Sequence, residues 1–527
     1  MSSPLSLVLR PRPGRQRWVW FVPVATFVVI WASGAHVGAL VAVLAGAGFL
    51  LLVQRRAATA ASVLLLVILF NLILLSVAFK AGLSISTVKA LAYWKEGIIA
   101  GCAVALWHRR PWRRLDALDI AAIAYVGLGT AYLLVPHLFI GNAVGSTLSF
   151  YARASQWKTD VLYVAVFFTF RHLRLGRDTV DRILERVLPV VVVVALIGIL
   201  EAVFSGTWNH LAVTDLGVTR YEHLVVGYQQ STAFNVHDIR SYSMIHGHRV
   251  VRVGSVLFNN LAVGFVFALG LGTAAELVAR GRARWWVYVS LPILGSALLL
   301  TQTRSAIIAG IIATLIALRR RAGKTVRDRI HLARILGALL VLILPFVLAT
   351  GTLQRFLSAP TSNADHQSAF TQGVDVIRSH PMGRGLGTAA GGGQQAAAQK
   401  NQFTADSPVI VTESQYLQIG TQLGIVGLAL YVTVLVLMLR RLLLRKRDDP
   451  VSLAPAAMSN VFAGALIGLL FTQAFVDFEL AVLFWGLAGL AVGVVDECAD
   501  APRPVDPGSD GRIESGGTTT MPSTTTI

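Results

Sequence analysis

Apolar stretches long enough to cross a membrane alternate with short polar segments along almost the whole chain. A membrane-spanning helix needs about 20 predominantly apolar residues. The pattern predicts fourteen spans, with approximate limits 17–34, 37–53, 59–78, 88–107, 117–136, 157–172, 187–204, 254–279, 285–302, 304–318, 332–350, 413–439, 455–473 and 479–496. The sequence therefore predicts an all-α fold, a polytopic transmembrane helix bundle of about 14 spans (12–14), in one domain over residues 1–496.

Basic residues lie in clusters between these stretches, at 10–17, 55–56, 109–114, 171–186, 280–284, 319–334 and 440–447. With a cytoplasmic N-terminus, every cluster falls on the cytoplasmic side, as the positive-inside rule requires. We therefore expect a multi-pass plasma-membrane protein with both termini in the cytoplasm. The formal net charge of +19 follows this distribution, so we expect the lipid bilayer, and no nucleic acid, as a partner. A hydrophobic content of 55% with only 14% charged residues excludes an ordinary soluble enzyme.

The polar segments are unequal in length. Two external loops are long, at about 205–253 and 351–412, whereas the other connections are short or basic. Residues 497–527 are rich in Pro, Gly, Ser and Thr, which predicts a disordered cytoplasmic tail.

Residues 285–318 are short for two crossings, yet the basic clusters on either side need two. We therefore predict a tight hairpin with its apex at 301–305. Arg304 would then lie at membrane depth, where a charge needs a partner or a purpose.

Motifs of soluble catalysis are absent from the sequence: it contains no GxxxxGK[ST], no HExxH and no CxxC. We expect no cofactor and no metal, although His246-Gly247-His248 could begin a metal site. The candidate chemistry therefore lies in polar residues at the outer ends of the spans.

Two of the four candidate motifs are centred on an arginine. Arg252 begins the segment RVGSVLFNN at 252–260, and Arg304 lies in TQTRSA at 301–306. A guanidinium in either place could bind a phosphate by paired hydrogen bonds. The structural alternatives are an interfacial anchor for Arg252 and a salt bridge or carbonyl cap for Arg304.

The other two candidate motifs lie within and directly after the second long loop. His380 and Arg384 lie in HPMGRGLG at 380–387, whose glycine turn could present backbone N–H groups to an anion after a short amphipathic helix. Glu413 opens ESQYLQIGTQLGIVGL at 413–428, where a half-buried carboxylate could act as a general base. The alternatives are a helix-capping His380 and a first-turn Glu413 favoured by the helix dipole.

Further charged residues occur in pairs near the spans. Lys95 and Glu96 point about 100° apart on a helix, so we expect each to pair with another helix. We expect Asp477 and Glu479 to lie at a solvated apex between the last two spans.

These four motifs, in this order, resemble those of the O-antigen ligase and O-antigen polymerase superfamily. The resemblance implies a bacterial membrane glycosyltransferase that moves a glycan from a polyprenyl diphosphate donor to a glycan or lipid acceptor hydroxyl on the outer face, in cell-envelope polysaccharide assembly. It implies substrate-binding roles for Arg252, Arg304 and Arg384, and a catalytic role for Glu413, with His380 a second candidate. Many ligases have His followed by Asn or Ser where Glu413-Ser414 stand here.

Two other functions stay open at this point. A transporter or flippase of a lipid-linked saccharide would also need cationic residues near the diphosphate, but the long external loops and the lack of a visible repeat disfavour it. A non-catalytic partner of envelope-assembly proteins is the third possibility. The sugar, the acceptor, the stereochemistry, the oligomeric state and the choice between ligase and polymerase are not determined by the sequence.

Overall fold

Helices form most of the part of the chain that the computed structural model describes, namely residues 53, 55–109, 115–141, 144–226, 238–245, 248–322, 360–389, 412–443 and 452–500. The helices are α1 (Ala57–Val67), α2 (Asn71–Lys80), α3 (Ile85–Leu91), α4 (Trp94–Arg109), α5 (Ala117–Leu134), α6 (His137–Ile140), α7 (Val144–Thr147), α8 (Phe150–Asp160), α9 (Leu162–His172), α10 (Arg177–Val203), α11 (Ser205–His210), α12 (Val218–Tyr221), α13 (Asn260–Ala279), α14 (Trp285–Leu300), α15 (Arg304–Ala322), α16 (Pro360–Ser379), α17 (Gln415–Leu443), α18 (Leu453–Gly468) and α19 (Phe478–Asp500).

Six helical segments within the described residues are long and apolar enough to cross a membrane: Ala57–Lys80, Ala117–Leu134, Arg177–Val203, Asn260–Ala279, Gln415–Leu443 and Phe478–Ala499. Helices α14 and α18 are apolar but shorter. The predicted helical membrane fold is therefore confirmed, whereas the count of fourteen stays a prediction. The spans predicted at 17–34, 37–53 and 332–350 lie outside the described residues, apart from Val53.

Several predicted boundaries were wrong. The span predicted at 157–172 is interrupted at Val161, and its first part belongs to the polar helix α8. The span predicted at 88–107 begins within α3, and α4 follows after a break. The predicted tail from 497 begins within α19, which continues to Asp500 and is tied by Asp496 to neighbouring helices. The rest of the predicted tail, 501–527, lies outside the described residues.

The two long loops that were predicted to be external also contain regular structure in their described parts. The all-α prediction missed a β-hairpin of β1 (Ser241–Ile245) and β2 (His248–Arg252), whose antiparallel register pairs Ser241 with Arg252. Strand β2 contains adjacent valines, which favour strands. The helix predicted before His380 is confirmed as α16, which has 20 residues.

Two helices form the centre of the bundle. In α13, 94% of the apolar stretch is buried by the rest of the protein, and in α19 the value is 89%, against 44% or less in the other four spans. Aromatic rings pack against α19, with Trp485 at 5.0 Å from Tyr163 and 6.1 Å from Tyr431 between ring centroids. The other helices therefore surround α13 and α19.

A group of charged side chains joins four helix ends on one side of the bundle. Arg171 at the end of α9 donates to Asp119 at 2.8 Å, to Asp496 at 2.8 Å and to Asp116. Arg441 donates to Asp496 at 2.7 Å. Burial alone would raise the pKa of Asp116, but its hydrogen bonds with Arg171 lower it to about 2. We call these five residues the inner charged cluster, the end of the bundle that holds them the inner end, and the opposite end the outer end, following the predicted topology.

Replacing Arg171 with methionine is expected to lower the free energy of unfolding by about 3 kcal/mol, because it leaves carboxylates clustered without their shared cation. The Arg171 side chain is only 3% exposed, so water cannot replace it well. The apparent unfolding temperature in detergent measures this loss. Arg182→Met, at an exposed position on α10, is the matched control. Equal effects of the two changes would contradict a structural role for the cluster.

Candidate functional site

The first two motifs contact each other at the outer end. Arg252 is the last residue of β2, and its Nε donates to the carbonyl oxygen of Thr301 at 3.3 Å. With the Asn260 amide oxygen turned toward the guanidinium, Asn260 accepts from Nε of Arg252 at 3.2 Å and also from Nη2. The backbone N–H of Val253 donates to Leu300 at 3.2 Å. The structure therefore holds Arg252 against the apex of the predicted hairpin.

A buried carboxylate that the sequence analysis missed shapes the first motif. Glu201 near the end of α10 accepts from the backbone N–H of Gly254 at 3.1 Å and of Ser255 at 2.6 Å. After this turn Phe258 has a φ of 51°, and Asn259 caps α13 by accepting from the N–H of Leu261 at 3.0 Å. An acid inside an otherwise apolar stretch was the only signal available for Glu201.

The hairpin itself is confirmed. Helix α14 ends at Leu300 and α15 begins at Arg304, with Gln302 at a φ of 53° between them. The Thr303 hydroxyl donates to the carbonyl oxygen of Asn260 at 3.0 Å and so ties the apex to α13. Arg304 is half-buried in the first turn of α15. Because the start of a helix attracts anions, a cation there combines with the backbone N–H groups into an anion-binding arrangement.

The third and fourth motifs interlock. Helix α17 leaves helical geometry at Gly424, whose φ is 70° and ψ −170°. The glycine turn of the third motif occupies this break: Arg384 N–H donates to the carbonyl of Thr421 at 2.8 Å, and Gly385 N–H to that of Gln422 at 3.0 Å. A Cβ on Gly424 would lie 2.3 Å from the carbonyl oxygen of Pro381. We call residues 381–385 together with 421–425 the glycine interlock.

A second buried carboxylate, that of Asp160, stabilises the glycine interlock through hydrogen bonds with α17. Asp160 accepts from Gln418 at 2.8 Å and from Gln422 at 2.9 Å, and both glutamines lie on α17. Gln422 in turn accepts from the N–H of Gly387 at 2.7 Å. Asp160 therefore fixes the break in α17 and, through it, the third motif. Asp160 also accepts from Gln156 of its own helix at 2.8 Å, but its partners on α17 are more than 250 residues away, so its role could not be predicted from the sequence.

His380 lies at the C-terminal end of α16, where a helix-capping residue would lie. Its side chain is exposed, its N–H donates to Val376 at 2.8 Å, and its Nδ1 lies 3.0 Å from the Ser379 hydroxyl. It follows directly after α16 and bonds within that helix end. Arg384 is half-buried, and its carbonyl oxygen accepts from the N–H of Gly145 at 3.0 Å. The backbone of Arg384 is therefore fixed on both sides.

Glu413 lies beside an apolar cavity rather than a polar one. The cavity has a volume of about 310 Å³, and its walls include Phe370, Leu417, Leu470 and Phe471. Phe370 and Phe471 are 50% and 61% exposed, so the cavity opens onto an apolar surface. Glu413 itself is half-buried two residues before α17.

The end of α18 connects the second motif with the fourth. The N–H of Gln415 donates to the carbonyl of Leu469 at 3.1 Å. A Cβ on Gly468 would lie 2.9 Å from the carbonyl oxygen of Ser305. Arg304 and Glu413 therefore belong to segments that contact the same end of α18 from two sides. Together with the Arg252–Thr301 contact and the glycine interlock, these contacts link the segments of all four motifs in one packed region, which we call the candidate site.

A polar cavity of about 790 Å³ adjoins this site at the outer end, and we call it the outer cavity. Lys95 in its wall pairs with Glu479 at 2.7 Å, and Lys158 pairs with Glu96. The expectation that Lys95 and Glu96 pair with other helices is thus confirmed. The solvated apex expected for Asp477 and Glu479 was wrong, because that turn packs back onto α4 and α13.

Three or more histidine, cysteine or acidic side chains do not come together in a metal-binding group anywhere in the described ranges. Comparison with curated proteins finds no match to the chain. Residues 289–432 match the family model described as O-antigen ligase. The match includes the hairpin with Arg304, the HPMGRGLG segment and Glu413, while Arg252 precedes it. This match supports the resemblance to the O-antigen ligase superfamily over that segment, in a helical protein with six candidate membrane spans among the described residues.

Proposed function

We propose that this protein is a glycosyltransferase that moves a glycan from a polyprenyl diphosphate carrier to an acceptor hydroxyl on the outer face of the plasma membrane. The O-antigen ligase segment supports the reaction class in general. The observation that carries the proposal is the joining of all four motifs at the outer end by the contacts of Thr301, Gly424 and the end of α18.

The diphosphate would bind where the two arginine motifs meet. Arg252 is oriented by Thr301 and Asn260, and Arg304 adds a cation at the start of α15. Arg384 stands in the glycine interlock as a third candidate cation. Planar guanidinium groups suit paired hydrogen bonds to phosphate oxygens. They would hold the donor and stabilise the charge that develops on the leaving diphosphate.

The acceptor would be activated at Glu413. Its carboxylate would take the proton of the acceptor hydroxyl while the oxygen bonds to the anomeric carbon. The bond from that carbon to the diphosphate breaks, and its electron pair leaves with the phosphate oxygen. The apolar cavity beside Glu413 would accommodate the hydrocarbon part of a lipid-borne substrate. The donor already carries its leaving group, so we expect transfer without nucleotide or added metal.

Replacing Arg252 with alanine is expected to lower the transfer rate by about 10²-fold, because one preorganised donor to the leaving group is lost. Arg252→Lys should recover only part of the rate, since lysine keeps the charge and loses the planar fork. The measurement is mass spectrometry of glycan products from purified protein in liposomes, supplied with host lipid-linked glycans and host envelope acceptors. Arg378→Ala on the exposed side of α16 is the control.

The same liposomes separate the competing functions. Carrier movement across the bilayer without a new glycosidic bond would overturn the proposal and establish a flippase. Product formation that is equal in the wild type and in Arg252→Ala would show a transferase whose diphosphate lies elsewhere.

A further inference from the structure

The outer cavity shares a wall with the diphosphate region. Asn259 and Asn260 line it, and Asn260 contacts Arg252. Other lining residues come from α2, α3, α8 and the segment beginning at Asp238. A substrate whose diphosphate lies at Arg252 therefore has this cavity next to it.

The charges that line the outer cavity balance. Four of these side chains are basic and four are acidic: Lys89, Lys95, Lys158, Arg240, Glu222, Asp238, Asp477 and Glu479. Three of the four cations are already paired, with Lys95 bound to Glu479, Lys158 to Glu96, and Arg240 to Asp238 at 2.7 Å. Internal pairing leaves little net positive potential, so the cavity does not suit a second diphosphate.

Two carboxylates in this cavity retain acceptor capacity. Among the described residues, Glu222 has neither a hydrogen bond nor an ion pair, and burial raises its pKa to about 7. Asp477 caps α19 by accepting from the N–H of Leu480 at 3.0 Å, and its other oxygen lies 3.5 Å from the Asn259 amide. A half-buried carboxylate without partners is stabilised by donors such as hydroxyl groups.

Aromatic surface accompanies these acceptors. Tyr93 and Tyr151 line the cavity and are 60% and 58% exposed. A sugar ring has apolar C–H faces and hydroxyl edges, so it can pack on an aromatic ring while its hydroxyls donate to carboxylates. Acceptors, amides and exposed rings around a charge-balanced space match this chemistry better than they match a lipid or a phosphate.

We infer that the outer cavity binds the saccharide of a substrate, with Glu222 and Asp477 accepting hydrogen bonds from its hydroxyls. The choice of ligand rests on the proposed function. The saccharide could belong to the donor or to the acceptor, which share this chemistry.

The test is direct binding to the full-length protein in nanodiscs. The probe is glycan released from the host lipid-linked pool by mild acid, followed by saturation-transfer NMR. Wild-type protein should bind it, and the double change Glu222→Gln with Asp477→Asn should weaken the dissociation constant by at least about tenfold. Asparagine and glutamine keep the side-chain shapes, and asparagine still caps a helix, so folding is preserved. Glu185→Gln, exposed on α10, is the control.

Sodium diphosphate serves as the competitor. It should leave the saccharide signal unchanged, and displacement by it would overturn the inference. The absence of saccharide binding to the wild type, or equal binding by the double variant, would overturn it as well.

Kinetics then identify the source of the saccharide. A rise in KM for the lipid-linked donor alone assigns the cavity to the donor, and a rise for the acceptor alone assigns it to the acceptor. If the wild-type protein binds the glycan but transfers none in the liposome assay, the proposed transferase function is contradicted, whereas the saccharide-binding site is still supported.

Discussion

Replacing Glu413 with glutamine is expected to lower glycan transfer by about 10²–10⁴-fold, the usual contribution of a positioned general base. Glutamine has nearly the same shape but cannot take the proton of an acceptor hydroxyl. Glu413 is half-buried between the start of α17 and an apolar cavity, at the same end of α18 as the Arg304 segment. Initial rates in the liposome assay, with acceptor concentration varied, measure the effect.

A structural role for Glu413 predicts a different outcome. Glu413 precedes the first turn of α17 rather than lying in it, and an acid that acts there only on the helix dipole contributes at most about 0.3–1 kcal/mol to stability and nothing to the rate. Asp375→Asn, on the exposed side of α16, controls for loss of a carboxylate near the site. If Glu413→Gln retains the wild-type rate in a folded protein, another group takes the proton and Glu413 is not the general base.

Replacing Gly424 with alanine is expected to lower the free energy of unfolding by about 4 kcal/mol and to displace the third motif. Its φ of 70° with a ψ of −170° is a backbone conformation essentially restricted to glycine, and it costs an alanine about 1–3 kcal/mol. Its Cβ would also lie 2.3 Å from the oxygen of Pro381 and 2.5 Å from the carbonyl carbon of Met382. These are backbone atoms that cannot rotate away, so overpacking adds about 1–3 kcal/mol. The apparent unfolding temperature and the transfer rate should both fall.

Gly82→Ala separates the two causes of that loss. Gly82 has a φ of 96°, and an added Cβ there meets nothing within 4 Å. It therefore carries the backbone strain without the steric conflict, and its effect should be clearly smaller. Equal losses at Gly82 and Gly424 would show that strain alone matters and that the close fit of the glycine interlock does not.

The pattern of apolar and charged residues along the sequence predicted those structural features that depend on residues close together in the chain. The apolar spans are visible because a membrane requires about 20 apolar residues in a row. The hairpin at 301–305 could be predicted because the basic clusters at 280–284 and 319–334 lie on the same side of the membrane only if the chain between them crosses it an even number of times. The helix before His380 is visible in its amphipathic spacing. Each of these follows from a run of sequence that is read by itself.

Features that depend on distant partners were missed or misjudged. Glu201 and Asp160 look like isolated acids inside or beside apolar stretches, yet each accepts hydrogen bonds from a segment more than 50 residues away. The turn at Asp477 looked solvated, because nothing near it in sequence reveals that Lys95 of α4 pairs with Glu479. Buried polar groups must find partners, but the sequence does not say where those partners are.

The sequence by itself therefore determined a polytopic helical membrane protein and the four motifs that resemble the O-antigen ligases. Only the tertiary structure decided that Gly383 and Gly424 face each other across the break in α17, and that Arg252 meets the hairpin apex. The physical reason is that helix formation and membrane burial depend on residues close in sequence. The site depends on close contacts between backbones far apart in sequence, and these exist only after the helices have packed.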